Sequence, residues 1–230
     1  MQLINLPNPE NLEIISQAIE PVRLARYDVN RTKNYEESMS YYLWNAELCR
    51  DFYHPLHFAE VLCRNRINFA IKLHFTAKWY DNGTFRGLIS DRYLNELDDV
   101  LKDERDQHGS KVDSNHIVSA LSFGFWGHMA TKRFNRTLWK FGIHKTFKGA
   151  TSNNSRDDLF KLIESVRRWR NRIAHHKAIF DKEPEQKFDD TSKLISWCCV
   201  DTAAWVNQNT DFYTTIKNGN AVFLKNKATS

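Results

Sequence analysis

Between Leu159 and Ile173 the apolar residues fall at Leu159, Leu162, Ile163, Val166, Trp169 and Ile173. Steps of three and four residues mark one face of an amphipathic helix. Helical spacing recurs at Met39, Tyr42, Leu43, Ala46 and Leu48, at Leu94, Leu97, Val100 and Leu101, and at Leu194, Ile195, Trp197, Cys198 and Trp205. Turn formers are scarce, with eight Gly and five Pro in 230 residues, while Phe, Tyr and Trp number fifteen, eight and seven. That balance favours long helices over a sandwich with many turns. The length suits one main domain with a substantial core.

Three segments are expected. Residues 1–34 form an N-terminal arm, with a short helical pattern interrupted by Pro21 and a polar connector from Asp28 to Asn34. The arm is expected to pack late or to serve a partner. Residues 35–207 form the main helical domain, and 208–230 a loosely ordered basic tail. In the main domain a long helix begins near Tyr35, is broken or kinked at Pro55, and resumes from Leu56 to Ile71. Asn82-Gly83 reads as a turn, and a helix follows from Asp91 to about Asp106. Asp113 or Ser114 caps the next. Gly124, within Leu121-Ser-Phe-Gly-Phe-Trp126, admits close aromatic packing against a second backbone. Thr151–Ser155 caps the helix carrying Leu159 to Ile173, whose first turn holds Asp157 and Asp158, favourable to its dipole. Asp181–Asp190 is a charged loop containing Pro184, and the last strong helix runs from about Thr191 to Val206.

The net charge of +5 makes a polyanionic partner plausible. Cys49, Cys63, Cys198 and Cys199 show no C-x-x-C spacing. Adjacent Cys198 and Cys199 lie in an apolar run and read as buried, reduced thiols. No stretch has the length and apolarity of a membrane span, and the N-terminus lacks a signal-peptide core. A cytoplasmic location is the expectation.

The chemistry concentrates in Ser165-Val-Arg-Arg-Trp-Arg-Asn-Arg-Ile-Ala-His-His-Lys-Ala-Ile-Phe180. Arg170 falls on the apolar stripe one turn past Val166, where a charged group needs a partner or a cleft. Asn171 and His175, four apart, share a face, and the forked Arg170 side chain reaches the same point. A cation, an amide and an imidazole converging there suit an anionic substrate whose proton must move. The plainer reading is a helix end whose Arg and His residues complement the C-terminal dipole.

Three further sets are candidates. On the long helix, Glu60 stands four residues before Arg64, as in a surface ion pair, and Asn65 reads as an internal hydrogen-bond anchor. His54, His57 and Glu60 are spaced three apart, but Pro55 intervenes and no zinc signature is present, so no metal is assigned. The basic and aromatic stretch holding Lys132, Arg133 and Arg136, continued by Lys140, Lys145 and Lys148, fits stacking and phosphate contacts on single-stranded nucleic acid. It fits equally a core edge with solvated lysines. A short repeat, Arg-Asn-Arg-Ile, occurs at 64–67 and 170–173, and the first copy lacks the histidines.

Trp44 through Ile67, Leu121 to Trp126, Leu138-Trp139, and Leu162 to Phe180 with Arg-Asn-Arg-Ile-Ala-His-His together resemble the Abi-like (AbiD/AbiF) family of the HEPN ribonuclease superfamily. The blocks occur in the family's order and span about residues 35 to 206. The resemblance implies an all-α fold, an HEPN-type helical bundle with additional helices, and metal-independent endoribonuclease activity. It also implies a role in abortive-infection or toxin–antitoxin defence against phage. Similar proteins resemble the nuclease halves of RNA-guided type VI CRISPR effectors, and some are restrained by a structured small RNA encoded beside them. Such an RNA, as antitoxin or guide, is the only bound component expected, with no other cofactor. Carried across, Arg170, Asn171 and His175 are the catalytic signature and His176 the frequent second histidine. Lys177 stands where the family often has Glu, which makes the rim more basic. Arg167, Arg168, Arg172, His176 and Lys177, with Lys132, Arg133 and Arg136, are the expected RNA contacts. Base and acid are two tasks for one motif histidine, so a homodimer with a composite site is expected. The partners are therefore RNA and a second copy, with neither membrane nor DNA. The competing readings are an HEPN module that binds RNA without cutting it and a structural or protein-interaction domain whose basic helix is simply solvated.

Overall fold

The computed structural model describes residues 6–219, and among them there is no strand: the fold is all-α. Its helices are α1 (Pro9–Ile19), α2 (Pro21–Leu24), α3 (Tyr35–His74), α4 (Gly83–Leu88), α5 (Asp91–His108), α6 (Ser114–Ala120) and α7 (Phe123–His128). After an irregular stretch come α8 (Arg156–Ala174), α9 (Pro184–Cys198) and α10 (Val200–Gln208). A last helix, α11, covers 212–219. No helix among the described residues is long and apolar enough to cross a membrane.

Helix α3 runs 40 residues with Pro55 inside it, so of the expected break or kink the break does not occur. Proline removes only one intrahelical N–H, and the residues on both sides are held by packing: Phe52 is fully buried and Leu56 nearly so. Pro55 nevertheless marks a boundary. The chain divides into two compact units, one comprising residues up to His54, Trp169–Phe188 and the stretch from Asn209, the other Pro55–Arg168 and Asp189–Gln208.

The first unit is centred on Phe52, whose ring meets Trp169, Phe188 and Phe212 at centroid distances of 5.3, 5.8 and 5.0 Å. Phe188 and Phe212 stack at 4.3 Å. Thr215 links α11 to α3 twice: its hydroxyl donates to Asp51 and its carbonyl accepts from Trp44 Nε1 at 3.0 Å. The part of the expected tail up to residue 219 is therefore packed, because Phe212 and Ile216 are apolar residues one turn apart with a core to enter. Residues 220–230 of that tail lie outside the described residues.

The second unit packs around Trp79, which is fully buried and donates from Nε1 to Asn68 Oδ1 at 2.9 Å. Phe85 and Trp126 meet its ring edge-on at 5.1 and 6.1 Å. The irregular stretch is anchored by Trp139 Nε1 donating to Met129 O at 2.8 Å and by Gly149 N donating to Trp197 O at 3.0 Å. A Cβ on Gly149 would stand 1.9 Å from Ser196 O, so only glycine permits this contact. At Gly124 the close neighbour is the Tyr93 side chain, at 3.1 Å from a built Cβ, and not a backbone.

Several expected boundaries shift. Pro184 begins α9 and does not lie in a loop, because proline at the first helical position costs no hydrogen bond. The expected helix from Thr191 to Val206 is two helices that meet at Cys199. The buried line of α3's first half runs through Tyr41, Asn45, Leu48 and Phe52, leaving Ala46 exposed.

Candidate functional site

Helix α8 starts with a reciprocal cap. Ser155 N donates to Asp158 Oδ2 at 2.8 Å, and Asp158 N donates to Ser155 Oγ at 3.1 Å. The hydrogen bonds from Ser155 hold the Asp158 carboxyl below its ordinary pKa. From there Leu159, Leu162, Ile163, Val166 and Trp169 are buried, as their spacing requires. The cover ends at the last turn: Ile173 is half-buried, Ala174 exposed, and Arg170 exposed despite its place on the apolar line. Arg170 Nη1 reaches Asn171 Oδ1 at 3.4 Å, and Asn171 is half-buried.

The end of α8 is a Schellman motif. His176 has φ of 52°, Lys177 N donates to Arg172 O at 3.0 Å, and His176 N donates to Ile173 O at 2.8 Å. His175 is the residue just before this left-handed turn, its N–H donating to Asn171 O at 3.0 Å, and its side chain is exposed. Glycine usually fills the left-handed position, and an L-residue there costs about 1–2 kcal/mol. Surrounding groups hold it in place. Arg172 Nε donates to Ala178 O at 2.7 Å and Arg23 Nη2 to His176 O at 2.9 Å. Asn45 Oδ1 accepts from Ile179 N and Phe180 N at 2.7 and 3.3 Å. Phe180 then sits among Tyr27, Tyr41 and Trp44 at 5.6, 5.8 and 5.9 Å. Arg26 lies over the Phe180 ring and pairs with Asp181. Burial pushes the Asp181 carboxyl up, but the hydrogen bond and charge of Arg26, together with the charge of Lys182 and a backbone hydrogen bond, leave it lowered.

The first unit thus gathers Arg170, Asn171, Arg172, His175, His176 and Lys177, together with Arg23 and Arg26 of the expected arm. The other candidates belong to the second unit. Arg167 is committed to Glu164 by two hydrogen bonds of 2.8 Å, which hold the Glu164 carboxyl below its usual range. Arg168 is exposed, with Glu164 at 3.5 Å. Lys132, Arg133 and Arg136 are exposed, and Arg133 Nη1 donates to Leu88 O at 3.2 Å. Their aromatic neighbours Trp126, Phe134, Trp139 and Phe147 are buried, so this stretch is a core edge with solvated cations. Phe141, with Lys140 over its ring, is the exposed exception. Asn65 is exposed and does not anchor the interior; Asn68, three residues on, does so through Trp79. Glu60 and Arg64 are half-buried. Among the described residues no group of three His, Cys, Asp or Glu side chains could hold a metal ion.

The adjacent cysteines differ. Burial pushes the Cys198 thiol up to about 12, whereas Cys199, at the start of α10, accepts hydrogen bonds from Thr202 and is lowered. The expectation of two buried thiols holds for Cys198 alone; the helix breaks at Cys199, which is half-buried. Asn45 was missed entirely. Its only local signal is an amide spaced four residues after Tyr41 and three before Leu48 on a helix rich in aromatics. No protein-family model, curated protein or solved structure matches this chain.

Proposed function

We propose that this chain is a metal-independent endoribonuclease of the HEPN type, acting in abortive-infection or toxin–antitoxin defence. The observation that carries the reading is the exposed Arg170 and His175 with the half-buried Asn171, gathered where α8 ends, beside a braced left-handed turn. RNA brings its own nucleophile. An imidazole takes the 2′-hydroxyl proton as the 2′-oxygen attacks phosphorus, and a second imidazole protonates the departing 5′-oxygen. The products are a 2′,3′-cyclic phosphate and a 5′-hydroxyl. Arg170 stays charged and offers two parallel donors to the phosphorane oxygens. Asn171 orients the guanidinium through its Oδ1, and the basic Arg172, His176 and Lys177 line the approach. One chain supplies one such histidine turn, so the two proton transfers call for a second copy, and the active species is a homodimer.

The test is cleavage of RNA by the purified protein in EDTA, with the product ends identified. We expect 2′,3′-cyclic phosphate termini, and His175→Ala to lose at least about 10²-fold in rate while still binding RNA. Chelator-sensitive cleavage to 5′-phosphates, or full activity in the variant, overturns the scheme. Salt-sensitive binding without any product would replace it with the non-cleaving module.

A further inference from the structure

Asn45 is 6% exposed, and nothing in the motif itself points to it. Its single Oδ1 accepts two neighbouring backbone N–H groups, those of Ile179 and Phe180, while its nitrogen reaches Cys49 Sγ at 3.8 Å. Both N–H groups belong to the segment that leaves His175. Without an acceptor they would be buried donors with no partner, which a folded chain avoids by moving the backbone. The backbone that would move carries the one left-handed residue of the turn, His176, whose conformation persists only where its surroundings over-determine it. Arg23 holds the same turn through His176 O, but its side chain is exposed and its bond open to water. The buried restraint is Asn45.

We propose that Asn45 is a positioning residue for the Arg170–His175 site: it pins the N–H groups of Ile179 and Phe180 and so fixes the turn that aims His175, without touching RNA. The proposal rests on the nuclease reading, so its test includes one arm that needs no activity. Three full-length proteins are compared: wild type, Asn45→Asp, which keeps a side-chain oxygen for both N–H groups, and Asn45→Leu, which removes it. Amide exchange is followed at residues 176–180, and kcat and KM are measured on one RNA.

In Asn45→Leu, exchange across 176–180 accelerates about tenfold or more beyond any global change. Its kcat falls roughly 10–100-fold, with KM within about twofold, as loss of aim requires. Asn45→Asp returns both to within about threefold of wild type. Should Asn45→Leu not fold, Asn45→Ser, too short to reach both donors, takes its place with the same expectations. Unchanged exchange in the turn, equal damage from Asp and Leu, or a rise in KM at constant kcat overturns the proposal. If wild type cuts no RNA, the nuclease reading falls and the positioning role with it. The exchange arm then still reports whether Asn45 holds the turn.

Discussion

The tetrapeptide Arg-Asn-Arg-Ile occurs twice, and the two copies have different surroundings. Arg64-Asn65-Arg66-Ile67 lies within the long helix α3: Ile67 is fully buried, Asn65 faces solvent, and Arg66 Nε donates to Cys198 O at 3.0 Å. Arg170-Asn171-Arg172-Ile173 ends a helix: Ile173 is half-buried, Asn171 meets Arg170, and Arg172 Nε donates to Ala178 O at 2.7 Å. In both copies the third residue binds a backbone carbonyl. What separates them is the end of the helix. The first copy continues as helix and is used for packing, whereas the second gives way to a turn that leaves an arginine and a histidine outside the core. Residue identity supplies the groups, and chain termination makes them available.

The largest contrast between the copies should be in rate. Arg170→Ala is expected to lower kcat by about 10²–10³-fold, as loss of a charge-stabilising donor does. Asn65→Ala should leave cleavage within about twofold and stability within about 0.5 kcal/mol, as for an exposed surface position. Comparable losses in the two variants would dissolve the distinction. Next comes the role the copies share. Arg66→Ala and Arg172→Ala each remove a charged donor from a carbonyl, worth about 1.5–3 kcal/mol. Denaturant melts should show both costs, but only Arg172→Ala should also slow cleavage.

The smallest effect concerns acid. In the unit holding the first copy, burial pushes His128 down to about 4, and its Nε2 accepts from Ser90 N at 3.2 Å. The folded state therefore holds this imidazole neutral, while the unfolded chain takes up a proton below about 6.5. Stability from this group is present above that pH and lost as pH falls toward 4. Thermal melts between pH 7 and 4 should show the decline, and His128→Gln should flatten it.

Much of this was legible in the sequence because it is local. The stripe from Leu159 to Trp169 follows from spacing, and a cap within 151–155 from its polar residues, though not the reciprocal bond to Asp158. What was misread depends on distant partners. Asn65 and Asn68 differ by less than one turn of α3, and only the position of Trp79 decides which amide is inside. Asn45 serves N–H groups more than 130 residues downstream, a pairing no local period encodes. Cys199 reads as buried because its neighbours are apolar, and it is half-buried at the break between α9 and α10. By spacing the aromatics between 126 and 147 fit a stacking platform and a core edge equally, and the core claims all but Phe141.

His176 adopts a backbone shape that glycine would take at no steric cost and asparagine more readily than most residues. A saturation library at this single codon would therefore sort shape from chemistry. Glycine and asparagine preserve the contour without an imidazole, and branched residues spoil it. If only histidine survives selection for activity, the ring is what that corner was kept for; if all three survive, the chain needed only the bend.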